Sequence, residues 1–309
     1  KITTINELPE EQLFNKALQQ IRVTESLKGF FFSPKVLVAG LNKTVQIDIN
    51  IDKSPRIIFG AKNCDLHPLQ VHQKMYLENE YCDNLYKSEL ERTLIIAADC
   101  PYPQETCFCN LVGLNPYPEK GADIIISVLE TGYLFETITV KGNELIHSTN
   151  HFFQEASLED IKQRDLLREQ AIKKLHSTND LVLKKEIPLL IEQKHDEKFW
   201  QHHADKCVEC FGCLMVCPTC FCFLLYDTPI NDEGFKRYKI WDACYFSAYA
   251  RVGGGMNTRP EFWKRFRNRF HCKFMNFKND YNFFACSGCN RCYLVCMGKI
   301  DIRNILKSL

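Results

Sequence analysis

The spacing of the cysteines constrains this chain more than any other feature. Cys207-Val-Glu-Cys210-Phe-Gly-Cys213-Leu-Met-Val-Cys217-Pro218 reads C-x2-C-x2-C-x3-C-P, and Cys286-Ser-Gly-Cys289-Asn-Arg-Cys292-Tyr-Leu-Val-Cys296 repeats the run. The chain has 309 residues and 17 cysteines. Five of these (Cys64, Cys82, Cys100, Cys107 and Cys109) precede residue 155, and the remaining twelve lie between Cys207 and Cys296. Secreted disulfide scaffolds are short, whereas a chain of this length buries a core without staples. No basic-then-apolar leader and no run of about 18 apolar residues is visible. Metal binding in a reducing compartment, the cytoplasm, is the resulting expectation.

The run is that of 4Fe–4S ligation. A cubane offers four irons, each needing one thiolate. Three closely spaced thiolates wrap one corner, and the fourth Cys, three residues on, points away to the other cluster. The spacing therefore assigns Cys207, Cys210, Cys213 and Cys296 to one cluster, and Cys286, Cys289, Cys292 and Cys217 to the second. Crossed ligation holds two clusters close enough to relay electrons. Zinc also uses paired C-x-x-C, but four-ligand zinc sites leave the third Cys and the x3-Cys tail unexplained. Met297 replaces the usual Pro after the second motif, which leaves the ligand set intact. Sixty-eight residues, Pro218 to Ala285, separate the motifs. So long a spacer resembles a helical ferredoxin module, with a helix expected after each fourth Cys.

The remaining pattern is that of an α+β protein. After a helical signal from Pro9 to Ile21 come strand-like runs at Val45–Ile51, Arg56–Phe59, Leu94–Ala98, Asp123–Val128 and Tyr133–Val140. They predict an α/β domain over residues 1–155 with a mixed or antiparallel sheet. No GxGxxG and no P-loop is present. Residues 156–206 form a charged helical linker. Ser157-Leu-Glu-Asp160 is a capping box, Pro188 breaks the pattern and Trp200 is the one large anchor. His195, His202 and His203 lie there without ligand spacing and belong to a solvated face. Residues 207–309 are expected to form a mainly helical, dicluster ferredoxin-like domain.

A further series occurs in order along the chain: Pro34-Lys35, Cys64-Asp-Leu-His-Pro68, Cys100-Pro-Tyr-Pro-Gln-Glu-Thr-Cys-Phe-Cys109 and Gly121-Ala-Asp123. It continues with Pro218-Thr-Cys-Phe-Cys-Phe223, Trp241-Asp-Ala-Cys244, Gly253-Gly-Gly-Met-Asn-Thr-Arg-Pro260 and Arg265-Phe-Arg-Asn-Arg-Phe-His271. The series resembles the iron–sulfur β subunits of soluble sulfhydrogenase-type NiFe hydrogenases and their counterparts in the anaerobic sulfite reductase family. That resemblance implies an electron-transfer subunit between a flavin-containing NAD(P)H-type subunit and a catalytic subunit. It leaves the catalytic partner open.

Nine cysteines lie outside the motifs. One reading makes them inert, buried thiols. The other places a third iron–sulfur or metal centre at Cys64, Cys100, Cys107 and Cys109, or at Cys220, Cys222 and Cys244. Cys82 and Cys272 are expected to be structural. Arg259, Lys264, Arg265, Arg267, Arg269, His271 and Lys273 alternate with Phe262, Trp263, Phe266 and Phe270. Net charge is only +1, and no nucleic-acid module accompanies the run. It reads as an amphipathic segment, as a cationic wall that raises a cluster's potential, or as both. Gly253-Gly254-Gly255 is a plain turn or a close approach beside a cluster or partner. The competing functions are a Cys-rich reductase acting on disulfide or sulfur substrates and a structural zinc adaptor.

Overall fold

Short, β-branched runs bounded by turn residues become parallel strands, of which the two central ones are buried on both faces. The computed structural model describes residues 18, 19 and 23–309, except 44, 48, 50, 51, 79, 131, 180–185 and 231–233. Of the N-terminal helical signal, only Leu18 and Gln19 lie among the described residues, and both are helical. Strands β1 (Lys35–Asn42) and β2 (Val45–Gln46) are followed by β3 (Arg56–Ala61), β4 (Thr93–Ala98), β5 (Ile124–Val128) and β6 (Tyr133–Thr137). β3, β4 and β5 pair in parallel and β6 closes the sheet antiparallel, so this sheet is mixed. The β3–β4 crossover carries the helices Asn63–Tyr76 and Asn84–Glu91. The β4–β5 connection carries Cys100, Cys107 and Cys109 on a loop ending in the 3-10 turn Cys109–Val112.

Two strand expectations change. Val45–Ile51 pairs only over Val45–Gln46, with residues 48, 50 and 51 outside the described set. The run from Tyr133 stops at Thr137, because Thr139 caps a new helix, Val140–Ser148, by accepting from the Gly142 N–H at 3.3 Å. The segment after Cys217 departs from expectation more fundamentally. Instead of a helix, β7 (Phe223–Pro229) and β8 (Gly234–Trp241) form a hairpin, and β8 pairs antiparallel with β1. The β-forming residues Phe223, Tyr226, Tyr238, Ile240 and Trp241 explain the preference. A sheet of order β2-β1-β8-β7 thus joins the first strands to the segment that follows the first cysteine motif.

The described residues of 156–206 are mainly helical. Ser157 and Asp160 form the capping box of the helix Leu158–Thr178. Arg168 on that helix pairs with Asp99 and Glu136, tying it to the mixed sheet. Pro188 opens the helix Ile187–Gln193, a first-turn position where its missing N–H costs nothing. Trp200 is fully buried and donates to the Lys194 carbonyl at 2.8 Å. It shares one core with Phe108, Leu214, Tyr245, Phe266, Phe270 and Ile305. The α+β class is borne out. No helix among the described residues is long and apolar enough to cross a membrane.

Candidate metal centres

Both motifs fold with the same backbone. In the first, Glu209 and Phe211 take left-handed conformations (φ 50° and 58°), and Gly288 and Asn290 do so at the equivalent places in the second (φ 63° and 52°). Each left-handed residue after the second Cys opens a short helix, Gly212–Met215 or Arg291–Leu294, with the third Cys at its second position. Left-handed residues among right-handed ones turn successive N–H groups into a concavity that receives anionic groups, iron–sulfur sites included. Glu209 N–H bonds to Cys207 and Gly288 N–H to Cys286, again at matching positions. Three non-glycine residues accept this strained geometry, a cost of about 1 kcal/mol or more each.

The structure brings the fourth cysteines across. One cavity is lined by Cys207, Cys210, Cys213 and Cys296, together with Tyr245, Arg269 and Cys292. It holds about 430 Å³ of empty space, part of it open to solvent. A Cβ on Gly298 would lie 2.0 Å from the Lys206 carbonyl, so the chain leaving Cys296 runs hard against the chain entering Cys207. Cys217 keeps the opposite company. Thr219 Oγ1 donates to the Ala285 carbonyl at 2.9 Å, and Lys273 Nζ donates to Thr219 Oγ1 at 2.6 Å. These bonds fasten the exit of the first motif to the entry of the second. Cys286 and Cys292 each sense the charges of Cys217 and Cys289.

Buried cations surround these thiols. Arg269, Lys273 and Arg291 are 6%, 2% and 0% exposed. Arg269 lines the first cavity, and its buried Nε has no hydrogen-bond partner among the described residues. Bonding to the neighbouring Cys220 thiol, with help from Lys273, Arg269 and Thr219, holds Cys217 below the usual thiol range. Burial pushes Cys286 and Cys292 up to about 12. The basic run thus packs its aromatic side inward and turns buried cations to the thiols. Phe266 and Phe270 pack into the core while Arg269 and Lys273 face the thiols.

None of the 17 cysteines is disulfide-bonded. Cys64, Cys100, Cys107 and Cys109 line a single cavity with Cys289. The trio Cys220, Cys222 and Cys244 regroups. Cys220 bonds to Cys217, whereas Cys244 senses Cys222 and Cys272, and the Tyr249 hydroxyl lies 3.4 Å from Cys222 Sγ. Cys272 therefore belongs with this group. Cys82 is exposed. Among the described residues no three His, Cys, Asp or Glu side chains sit at the spacing of a single metal ion, the eight motif thiols included. His202 is exposed, and His203 lies 3.1 Å from the Ser308 hydroxyl. Gly253, Gly254 and Gly255 are exposed, and a Cβ on any of them meets nothing within 4 Å, so they form an open turn.

Sequence reasoning did not single out Arg291, Lys62, Thr219 or Gly288. Arg291 reaches from the second motif to Asp65 at 2.5 Å, in the Cys64-Asp-Leu-His-Pro68 block. His67 of that block lies 2.8 Å from the Phe284 carbonyl. Only Gly288 left a signal, a glycine inside the Cys286–Cys289 loop.

Residues 206–300 match the 4Fe–4S dicluster domain family, which defines the class of this region. The chain therefore carries an iron–sulfur electron-transfer domain with two 4Fe–4S clusters. The orphaned Arg269 Nε, the left-handed concavities and the thiol-rich donor set all fit such groups. The chain is also similar to the β subunit of sulfhydrogenase 2 from Pyrococcus furiosus. The two are 29% identical over 282 residues, which is 91% of this chain and 82% of that protein.

Proposed function

We propose that this chain is the electron-relay subunit of a hetero-oligomeric oxidoreductase. Cys207, Cys210, Cys213 and Cys296 hold one 4Fe–4S cluster, and Cys286, Cys289, Cys292 and Cys217 hold the other. On its two sides lie a flavin-containing, NAD(P)H-type subunit and the catalytic subunit of a hydrogenase or of a sulfite or sulfur reductase. The supporting observation is the cavity where Cys296 joins the three thiols of the distant first motif. Each cluster, when bound, supplies a one-electron carrier of low potential. Arg269 and Lys273 supply buried positive charge that favours the more reduced state. Thr219 and Ala285 hold the two motifs at fixed separation. Cys210 is exposed, with Val208 64% and Met297 74% exposed beside it, which gives the first centre an apolar surface against which a partner can dock. The thiol-rich, disulfide-free chain suits the cytoplasm.

Anaerobically purified chain tests this. Reduced by dithionite, it should pass electrons to a viologen acceptor yet show no turnover of hydrogen, sulfite or polysulfide until a catalytic partner is added. Turnover of any of these by the isolated chain would instead support a self-contained reductase.

A further inference from the structure

Four of the nine cysteines outside the two motifs are gathered by the fold from two separate connections, the one after β3 and the one after β4. Cys64 is the second residue of the helix that follows β3. Cys100 lies two residues beyond β4, and Cys107 and Cys109 lie on the loop that follows it. β3 and β4 are parallel neighbours, so all four cysteines stand outside the carboxyl ends of parallel strands. Open α/β sheets place their ligands on that side. The four thiols line one cavity with about 360 Å³ of empty space, part of it open to solvent, close to that of the Cys207 cavity.

Its walls carry the same chemistry as the motif cavities. Lys62 is 3% exposed and lines the cavity, and its Nζ donates to the Asp99 carbonyl at 2.6 Å. Its charge acts on Cys100 and Cys64. Arg291, which is fully buried, acts on Cys64 and Cys289 from the far side. The cavity also touches the second motif directly. Gly288 and Cys289 form part of its lining, and the Phe108 N–H donates to the Gly288 carbonyl at 2.8 Å. Cys292 lines the Cys207 cavity and Cys289 lines this one. The second motif thus contributes a thiol to the lining of each of the other two cavities.

We propose that Cys64, Cys100, Cys107 and Cys109 hold a third 4Fe–4S centre, which extends the relay into the mixed-sheet half of the molecule. The claim is independent of which partner subunits the chain takes. The step is ligand exchange: the four cysteine thiols displace the thiolates of a preformed, thiolate-ligated 4Fe–4S cluster, their protons pass to the thiols released, and iron and sulfide keep their oxidation states. Full-length chain, assembled anaerobically, should contain about 12 irons and 12 acid-labile sulfides. Cys109→Ala and Cys100→Ala should each fall to about eight of both, the two motif centres still giving their electron spin resonance signals. Cys82→Ala and Cys244→Ala should retain all of about 12. The wild-type count stands as evidence even where a variant folds poorly. About eight irons in the wild type would overturn the proposal. So would bound zinc in place of the extra four irons, or an iron loss that follows Cys244→Ala and not Cys109→Ala. None of those results touches the two motif clusters, which account for the remaining eight.

Discussion

Adding one methyl group at Gly288 should destabilise the protein by about 3 kcal/mol or more and strip iron from the second motif. Gly288 has φ +63°, and a Cβ there would lie 2.5 Å from the Cys109 Cα and N and from the Phe108 carbonyl carbon. All three are backbone atoms, so no side chain can swing aside. The left-handed conformation costs alanine about 1–2 kcal/mol, and forced overpacking adds about 1–3. The bond from the Phe108 N–H to the Gly288 carbonyl, 2.8 Å long, should be lost as the loop backs away. That loop bears Cys286 and Cys289, so the displacement moves two thiols at once. Gly253→Ala is the control, because a methyl there meets nothing within 4 Å. Anaerobic thermal unfolding and iron analysis should show Gly288→Ala impaired in both and Gly253→Ala like the wild type. A Gly288→Ala protein with unchanged iron and stability would show that the second motif does not rest on the Cys107-Phe-Cys109 segment.

Lys273→Met should shift the reduction potential of the second-motif centre downward. Lys273 is 2% exposed, and its charge acts on Cys217 first and then on Cys220 and Cys272. Those neighbouring thiols raise its pKa well above the usual lysine value, so it remains a cation. Each added electron is stabilised by that cation. Its removal therefore makes reduction harder and the potential more negative. One unit charge at short range, in an effective dielectric near 20, is worth on the order of 2 kcal/mol, or ~80 mV for one electron. Arg269→Met should act in the same direction, since its guanidinium faces Cys292 and Cys213. Arg237 pairs with Asp227 on an exposed strand, and its removal should leave the potentials alone. Redox titration followed by electron spin resonance gives all three values. Unmoved potentials in both Lys273→Met and Arg269→Met would remove the electrostatic role from these two cations.

The two motifs were fully legible in the sequence because ligation fixes local spacing, and the backbone repeats that spacing in its left-handed residues. β3, β4 and β5 were legible for a similar reason, since buried parallel strands are short apolar runs. The β1–β8 pairing was not, because it joins Lys35 to Ile240 and nothing local in either segment announces a partner so far away. The hairpin β7–β8 runs against the analogy with helical ferredoxins, although its aromatic residues favour strands. Grouping Cys64 with Cys100, Cys107 and Cys109 followed the sequence, and the fold does bring them to one cavity. Of the other group, Cys244 senses Cys222 together with Cys272, a residue the sequence did not join to them, while Cys220 bonds to Cys217. The buried cations divide in the same way. Arg269 and Lys273 stood out in a basic run, whereas Arg291 and Lys62 are single residues whose role comes only from packing.

Crossed ligation can be tested by counting iron in paired variants of the full chain. Cys217→Ala and Cys286→Ala should each remove about four irons, and the two together should still remove about four, since both substitutions empty one site. Cys217→Ala combined with Cys213→Ala should remove about eight. The reverse pattern, with Cys217 and Cys213 failing together and Cys217 and Cys286 adding, would contradict the account by placing each motif's four thiolates on its own centre.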